Sequence, residues 1–211
     1  MKAVVFDIDG TLTDNVSWFK ITELLGASVE EHAKIFDDLL KDKLSLPEAR
    51  EQIMSLWQAT GNANKDFLRK IFRDWTYRDD AGPLIEYCKE QGYEVALITG
   101  SLDLFAEYVA LHFGIKHWYS NSELVCNDSG ELVDFYYEQD QASKKLEQFE
   151  EFIKLVRVDA EDCFVVGDSA NDVKLFERTE KGIAVHTDDQ SLQRAAWRKA
   201  RSLSEVKEFI N

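Results

Sequence analysis

The 211-residue sequence has few cysteines and no long apolar run. Its three cysteines, Cys88, Cys126 and Cys163, are far apart in the chain and lack the spacing of a zinc site, so we expect buried thiols in a reducing compartment. No stretch is long and apolar enough to cross a bilayer, and Asp7 interrupts the N-terminal segment before a signal-peptide core could form. We therefore expect a cytoplasmic protein that does not bind membranes.

Basic residues are also scarce, with 25 Lys and Arg against 40 Asp and Glu, for a net charge of −15. Such a chain repels phosphate backbones and anionic lipid, which argues against general nucleic-acid binding. Extended disorder is excluded by the aromatic content, because 5 Trp, 13 Phe and 7 Tyr supply too much surface to bury. The length suits one domain that carries a smaller insert.

Short apolar runs alternate with helical patterns over much of the chain. The runs cover residues 3–6, 93–98, 163–166 and 182–185, and the helical patterns cover 83–91, 102–113 and 142–156. This alternation predicts an α/β fold with a doubly wound parallel sheet. Residues 124–137 depart from it, because two alternating runs flank an Asp-Ser-Gly turn that predicts a β-hairpin attached to the sheet.

Residues 15–77 contain no strand-like run and read as four helices, at 17–25, 29–42, 46–59 and 64–76. Ser45 and Glu48 form a plausible capping box around Pro47. The last helix places one apolar face at helical spacing, which we interpret as packed core: Phe67, Leu68, Ile71, Phe72 and Trp75. The sequence thus predicts an all-helical domain at 15–77, inserted into a core formed by 1–14 and 78–211. The insert is nearly neutral, with 9 basic and 10 acidic residues, so most of the negative charge lies in the core.

Polar residues follow three of the predicted strands, where ligands bind in open parallel sheets. They are Asp7 and Asp9 after the first strand, Thr99, Gly100 and Ser101 after the second, and Asp168, Asn171 and Asp172 after the third. Each group alone is more often a turn or a helix cap, but the coincidence of all three on one sheet is a strong signal. Converging carboxylates without nearby Cys or His favour a hard cation such as Mg²⁺. Together with hydroxyl and backbone donors, such a site suits phosphoryl transfer.

The segments VVFDIDGTLTD, ALITGS and VVGDSANDV, with a lysine before the last, resemble the four motifs of the haloacid dehalogenase-like (HAD) phosphohydrolases. The resemblance extends from residue 3 to about residue 186 and implies the Rossmann-like core of that superfamily. The insert resembles its small helical cap, and the motif spacing is most similar to the phosphoserine phosphatase-like branch.

The resemblance assigns roles to individual residues. Asp7 is implied as the nucleophile that forms an aspartyl-phosphate, and Asp9 as the general acid and base. The phosphoryl group is expected to lie against Thr99 and Gly100, with Ser101, Asn171 and Arg50 as further substrate-binding candidates. Mg²⁺ is expected on Asp7, the backbone carbonyl of Asp9, and Asp168, with Asp172 completing or orienting the shell. The lysine of the third motif is assigned to Lys145, with Lys144 as the alternative.

The chain departs from that branch at the positions that recognise an amino-acid substrate. Val16 stands where those enzymes have a glutamate, Ile53 near their arginine, and Ser101 at a glycine; these differences argue against L-phosphoserine. Residues left to contact the leaving group are Asn15, Ser17, Trp18, Lys20 and Arg50. Trp18 and Phe19 either stack on an apolar or quaternary-ammonium group or belong to the core of the insert.

The sequence therefore predicts a Mg²⁺-dependent phosphatase acting on a small phosphorylated metabolite. Two alternatives stay open at this point. One is a phosphotransferase that passes the same phosphoryl group to an acceptor other than water. The other is a non-catalytic phosphate-binding or regulatory module.

Overall fold

A computed structural model describes residues 1–210, in which seven strands form one sheet. The strands are β1 (Ala3–Phe6), β2 (Glu94–Leu102), β3 (His117–Cys126), β4 (Leu132–Tyr137), β5 (Cys163–Gly167), β6 (Gly182–Val185) and β7 (Arg198–Ala200). Their spatial order is β4-β3-β2-β1-β5-β6-β7. All neighbours are parallel except β3 and β4. Strand β1 is central: successive strands are added on one side as β2, β3 and β4 and then on the other side as β5, β6 and β7. Its carboxyl end is therefore the topological switch point where such folds bind ligands.

The segment between β1 and the next core helix contains α1 (Ser17–Leu25), α2 (Val29–Leu40), α3 (Leu46–Gln58) and α4 (Lys65–Arg73). The helices predicted here are confirmed, although α2, α3 and α4 end one to three residues early. The capping box formed by Ser45 and Glu48 is present at the start of α3. We refer to residues 15–77 as the helical insert.

The apolar face of α4 packs against the α/β part of the chain as well as within the insert. Phe72 and Trp75 contact Phe105 with ring centroids 5.2 and 4.4 Å apart. The prediction that this face is packed core is confirmed for Leu68, Ile71, Phe72 and Trp75, which are buried. Because a large part of this aromatic surface is shared, the helical insert and the sheet have a continuous hydrophobic core.

Six further helices cover the sheet: α5 (Ala81–Glu90), α6 (Asp103–Phe113), α7 (Gln141–Val156), α8 (Val173–Thr179), α9 (Gln190–Ala195) and α10 (Leu203–Val206). The consecutive residues Val4 and Val5 of β1 point to opposite faces of the sheet and belong to two separate apolar clusters. One cluster includes residues of α5, α6 and α10, and the other includes residues of α7, α8 and α9. Helices on both faces explain why β1 is apolar without alternation, and they confirm the doubly wound α/β prediction.

Two parts of the sheet differ from the prediction. Strand β2 does not end before Thr99 but continues through Leu102, with an irregular register to β3 between those residues. Strand β3 begins at His117 and pairs in parallel with β2 before it pairs with β4, so the predicted hairpin is the edge of the main sheet. The sequence did not predict these extensions because both segments contain polar residues. Irregular pairing in β2 and the position of β3 and β4 at the edge of the sheet allow polar residues that a regular central strand would exclude.

The three cysteines are free, and Cys88 and Cys163 are buried. Burial raises the pKa of each of these two thiols to about 12, as expected for structural rather than reactive cysteines. Within residues 1–210, none of the helices has the length and apolar character that a membrane span requires.

Candidate active site

Asp7 lies directly after β1 and is almost completely buried. Its backbone N–H donates to the carbonyl of Val166 on β5 at 3.0 Å, and its Oδ1 accepts from the N–H of Ile8 at 2.7 Å. The chain then turns through Gly10 at φ +71°, a left-handed conformation that favours glycine. A Cβ on Gly10 would lie 2.1 Å from Oδ2 of Asp168, so glycine is also needed for the close approach of that carboxylate.

Three carboxylates converge at this point. Asp7, Asp168 and Asp172 each offer an oxygen within 4.8 Å of the others. Burial raises the pKa of Asp168 to about 8, and the charges of Asp7 and Asp172 add to the rise. Burial likewise raises the pKa of Asp172 to about 6, against the lowering effect of Lys145. The cluster is therefore electrostatically unfavourable without a cation, and its all-oxygen donor set fits Mg²⁺.

The two carboxylates after β5 differ in how many of their oxygens are already bonded. Asp168 Oδ1 accepts from the Thr11 hydroxyl at 3.2 Å. Asp172 Oδ2 accepts from the backbone N–H groups of Asp168 and Ser169, at 3.2 and 3.4 Å, and its Oδ1 accepts from Lys145 at 2.7 Å. Both oxygens of Asp172 therefore already bind the segment after β5 and the Lys145 ammonium, which suits a residue that orients the site.

Lys145 of α7 is fully buried among the acids. Its Nζ lies 3.0 Å from Asp7 Oδ2 and 2.7 Å from Asp172 Oδ1. Desolvation lowers the pKa of Lys145, but the charges of Asp172 and Asp7 outweigh it, so the net shift is upward and the side chain is a cation. Lys144 instead pairs with Glu147 at 3.1 Å on the outer face of α7. The structure places Lys145, and not the alternative, in the carboxylate cluster.

Asp9 is half-buried, and its two carboxyl oxygens have different surroundings. Oδ2 accepts a hydrogen bond of 2.7 Å from the hydroxyl of Ser17, the first residue of α1. Oδ1 is buried and has no hydrogen-bond partner among the described residues. Burial raises the pKa of Asp9 to about 7, opposed by the Ser17 hydrogen bond and reinforced by the charge of Asp7. A carboxyl group with this pKa can both donate and accept a proton near neutral pH.

The segment Thr99-Gly100-Ser101 forms the irregular part of β2. The Thr99 hydroxyl donates to Ser101 Oγ at 3.0 Å and accepts from the Ser101 N–H at 3.1 Å. The Gly100 carbonyl accepts from the indole N–H of Trp18 at 3.3 Å and from the Ser122 hydroxyl at 3.2 Å. This segment is therefore held from both the sheet and the helical insert.

A cavity of about 230 Å³ extends from these residues into the helical insert. Its wall contains most of the predicted site residues: Asp7, Asp9, Thr99, Gly100, Ser101, Asp168, Asn171 and Arg50. Lys145 and Asp172 lie behind Asp7 and do not line it. Arg50 forms an ion pair with Asp134 of β4, with Nε 3.2 Å from Oδ1. Val16 lies at the wall, as does Ile53, while the sequence candidates Asn15 and Lys20 do not.

Four residues make contacts at the site that the sequence did not predict. Thr11 donates to Asp168, and Ser17, predicted to contact the leaving group, instead donates to Asp9. Gln141 lies against Gly100, whose added Cβ would be 2.6 Å from Oε1. His32 of α2 lines the cavity and lies 2.6 Å from the Thr22 hydroxyl through Nδ1. Only the position of Ser17, eight residues after Asp9, carried a sequence signal, because it starts a helix beside the first motif.

His32 belongs to a closed network of hydrogen bonds inside the insert. The Thr22 hydroxyl donates to the Trp18 carbonyl at 2.9 Å and accepts from the indole N–H of Trp57 at 2.8 Å. Burial lowers the pKa of His32 to about 4, so the imidazole is neutral near pH 7.

Comparison with known proteins relates this geometry to a family. The family model described as haloacid dehalogenase-like hydrolase matches residues 1–178. A phosphoserine phosphatase of Methanocaldococcus jannaschii is 27% identical over 183 residues, which are 87% of this chain and 84% of that protein. A substrate-bound phosphoserine phosphatase structure superposes with a TM-score of 0.78 at 25% identity, covering 100% of this chain and 98% of the other. A HAD family hydrolase from Salmonella enterica serovar Typhi has the same fold, with a TM-score of 0.82 at 17% identity over 99% of this chain and 70% of the other.

Proposed function

Because the chain belongs to the haloacid dehalogenase-like hydrolases, we propose that it is a phosphatase that hydrolyses a small phosphomonoester through a covalent phosphoryl group on Asp7. The observation that carries this proposal is the juxtaposition of two unlike carboxyl groups in one cavity. Asp7 lies against the ammonium of Lys145, whereas Asp9 has a raised pKa and a buried oxygen without a hydrogen-bond partner among the described residues. One group is thereby suited to act as a nucleophile and the other as a proton donor.

Three oxygen donors fit a bound Mg²⁺: the carboxylates of Asp7 and Asp168 and the backbone carbonyl of Asp9. The close approach of the Asp7, Asp168 and Asp172 oxygens supports this assignment. When bound, the cation would neutralise the carboxylates and the phosphoryl oxygens. Asp172 would orient the site, because its oxygens already accept hydrogen bonds from Lys145 and from backbone N–H groups.

In the first half of the proposed reaction, a carboxylate oxygen of Asp7 attacks phosphorus, and the bond from phosphorus to the leaving oxygen breaks. Asp9 gives its proton to that oxygen, so the product leaves as a neutral alcohol. Since Ser17 donates to Oδ2 of Asp9, the proton belongs on Oδ1. The Lys145 ammonium stays protonated and offsets charge on the phosphoryl group as it reaches Asp7.

In the second half, Asp9, now a carboxylate, accepts a proton from water as the water oxygen attacks phosphorus. The bond between phosphorus and Asp7 breaks, which releases phosphate and restores Asp9 to its protonated form. In both halves, Thr99 and the Gly100 backbone would hold the phosphoryl oxygens, with Ser101 and Asn171 at the same end of the cavity. The hydrogen bonds from Trp18 and Ser122 to the Gly100 carbonyl support this role, because they fix the Thr99-Gly100-Ser101 segment before the substrate binds.

We also assign the helical insert, residues 15–77, the role of a cap domain over a core formed by 1–14 and 78–211. Its first helix supplies Ser17 to Asp9 and Trp18 to Gly100, so the insert contributes to the geometry of the reacting groups. Arg50 would contact the substrate only at the cost of its ion pair with Asp134.

The proposal is tested with Mg²⁺ and acetyl phosphate, a small substrate whose leaving group needs no tight binding. Asp7→Asn removes the nucleophile and should lower kcat by at least about a thousandfold, on the scale of losing a catalytic nucleophile. Asp66→Asn changes an exposed aspartate of the insert and should leave kcat unchanged. Phosphate release by Asp7→Asn at the wild-type rate would contradict the proposal. Alcohol added to the assay separates the phosphotransferase alternative, which would yield a new phosphate ester in place of free phosphate.

A further inference from the structure

The wall of the cavity changes character between its two ends. The carboxylates and the segment Thr99-Gly100-Ser101 lie at one end, whereas the end inside the helical insert is formed mainly by apolar and aromatic side chains. They include Trp18, Phe36, Leu39, Leu46, Ile53 and Tyr137. A phosphoryl group placed at the carboxylate end directs its leaving group toward this apolar end.

Three polar side chains of the apolar end, Arg50, His32 and Gln141, are already engaged with other protein groups. The Arg50 guanidinium pairs with Asp134, and His32 bonds to Thr22 and is neutral. Gln141 accepts from the Asn121 amide at 2.8 Å and donates to the Glu138 carbonyl. Among the described residues that line this end, Arg50 is the one charged side chain, and its Nε is already paired with Asp134. A cationic leaving group would therefore lose its hydration without gaining a partner, and an anionic one would have to displace Asp134 from Arg50.

The aromatic rings are packed against one another rather than arranged as an open cage. Trp18 stacks on Trp57 at 5.9 Å and meets Tyr137 edge-on at 5.7 Å. Phe36 meets the same Tyr137 at 6.4 Å with perpendicular planes. The wall also contains aliphatic side chains, including Leu39 and Ile53, and the rings of Phe19 and Phe135. Phe135 meets Trp18 edge-on at 5.1 Å, and Phe19 meets Phe36 edge-on at 6.3 Å. Such a surface offers contact area and little ring face, which favours an uncharged hydrocarbon over a quaternary ammonium group.

We infer that the substrate of this enzyme is the phosphate monoester of an uncharged, predominantly apolar alcohol, small enough to fit with its phosphoryl group in a cavity of about 230 Å³. This inference rests on the proposed phosphatase function. It commits to hydrocarbon contact with Leu39, Ile53 and the Trp18 ring as the source of selectivity.

The inference is tested with two pairs of substrates that differ in a single charged centre. Propyl phosphate is compared with phosphoethanolamine, and 3,3-dimethylbutyl phosphate with phosphocholine. In each pair we expect kcat/KM for the uncharged ester to be higher by more than about tenfold. Across methyl, ethyl and propyl phosphate, kcat/KM should rise by roughly fourfold per methylene until the cavity is full. Equal values within a pair, or a preference for the charged member or for L-phosphoserine, would overturn the inference.

The acetyl phosphate assay distinguishes failure of this inference from failure of the proposed function. Turnover of acetyl phosphate without preference within the pairs overturns only the inference. If nothing is hydrolysed, calorimetric titration with propylphosphonate and 2-aminoethylphosphonate measures the preference of the cavity directly. Tighter binding of propylphosphonate supports the apolar leaving-group site, and equal or weaker binding overturns it.

A pair of adjacent residues on α2 provides a matched control in the protein. Leu39 lines the cavity, while Leu40 is 68% exposed on the same helix. Leu39→Ala should lower kcat/KM for 3,3-dimethylbutyl phosphate by about tenfold through a higher KM, and leave methyl phosphate nearly unchanged. Leu40→Ala should affect neither substrate. An equal loss on both substrates in Leu39→Ala, or equal effects of the two variants, would contradict the assignment.

Discussion

The hydroxyl of Ser17 donates a hydrogen bond of 2.7 Å to Oδ2 of Asp9. Ser17 begins the first helix of the insert, so the insert holds the proposed general acid in place. The bond leaves Oδ1 of Asp9 as the oxygen that can carry a proton. The geometry of proton donation by Asp9 therefore depends on Ser17, which lies in the helical insert and outside the first motif.

Ser17→Ala should impair leaving groups that need a proton more than those that do not. For an alkyl phosphate, kcat/KM should fall by about tenfold or more, on the scale of one hydrogen bond to a charged group. For p-nitrophenyl phosphate, whose leaving group departs as an anion, the loss should be much smaller. Ser55→Ala, at an exposed position of α3, serves as the control. An equal loss on both substrates would show that Ser17 acts on folding or binding and not on proton donation.

Lys145→Met should destabilise the protein strongly. It removes the buried cation that lies between Asp7 and Asp172, and so leaves uncompensated carboxylates in the interior. We expect the free energy of unfolding in urea to fall by about 3–5 kcal/mol without added metal. Lys144→Met removes only an exposed pair with Glu147 and should cost less than about 1 kcal/mol. Similar values for the two variants would contradict the placement of Lys145 as the charge partner of the cluster.

His32 predicts a pH dependence of stability. Its pKa is lowered by burial to about 4 in the folded protein, whereas the ordinary value is 6.5. Between these values the unfolded chain binds the proton that the folded chain excludes, so stability is complete above about pH 6.5 and is lost as the pH falls toward 4. His32→Gln should remove this part of the pH dependence, worth up to about 3 kcal/mol, while the exposed His112→Gln should retain it. Parallel stability curves for wild type and His32→Gln would count against a neutral, buried His32.

Gly10→Ala should disturb the carboxylate cluster itself. Gly10 and Gly26 both have positive φ, at +71° and +92°, so alanine at either position costs about 1 kcal/mol or more of backbone strain. Only at Gly10 does the new Cβ meet Asp168, whereas a Cβ at Gly26 would have no atom of the described residues within 4 Å apart from its chain neighbours. Gly10→Ala should therefore raise the Mg²⁺ concentration for half-maximal activity by about tenfold or more, and Gly26→Ala should leave it unchanged. An unchanged Mg²⁺ requirement in Gly10→Ala would argue against Asp168 as a metal ligand.

The sequence predicted the parts of the site that follow buried strands. Asp7, Asp9 and Asp168 come directly after short apolar runs, so their position at one edge of the sheet follows from parallel strand packing. Gln141 and His32 gave no such signal, and Ser17 was predicted to contact the leaving group and not Asp9, because these contacts depend on how the helical insert packs on the sheet. For Trp18 the sequence allowed either stacking on a ligand or a place in the core of the insert. In the structure Trp18 packs on Trp57 and also lines the cavity. The position of such a side chain depends on packing between segments that are distant in sequence, and local sequence patterns carry no information on that packing.

The covalent step at Asp7 is the central claim, and chemical trapping tests it most directly. The enzyme is mixed with Mg²⁺ and propyl phosphate, quenched in acid during turnover, and reduced with borohydride, which converts an aspartyl-phosphate to homoserine. Peptide mass mapping should then find homoserine at position 7 in the wild type and none in Asp7→Asn. Turnover without homoserine at position 7, or with homoserine at Asp9 instead, would contradict the account.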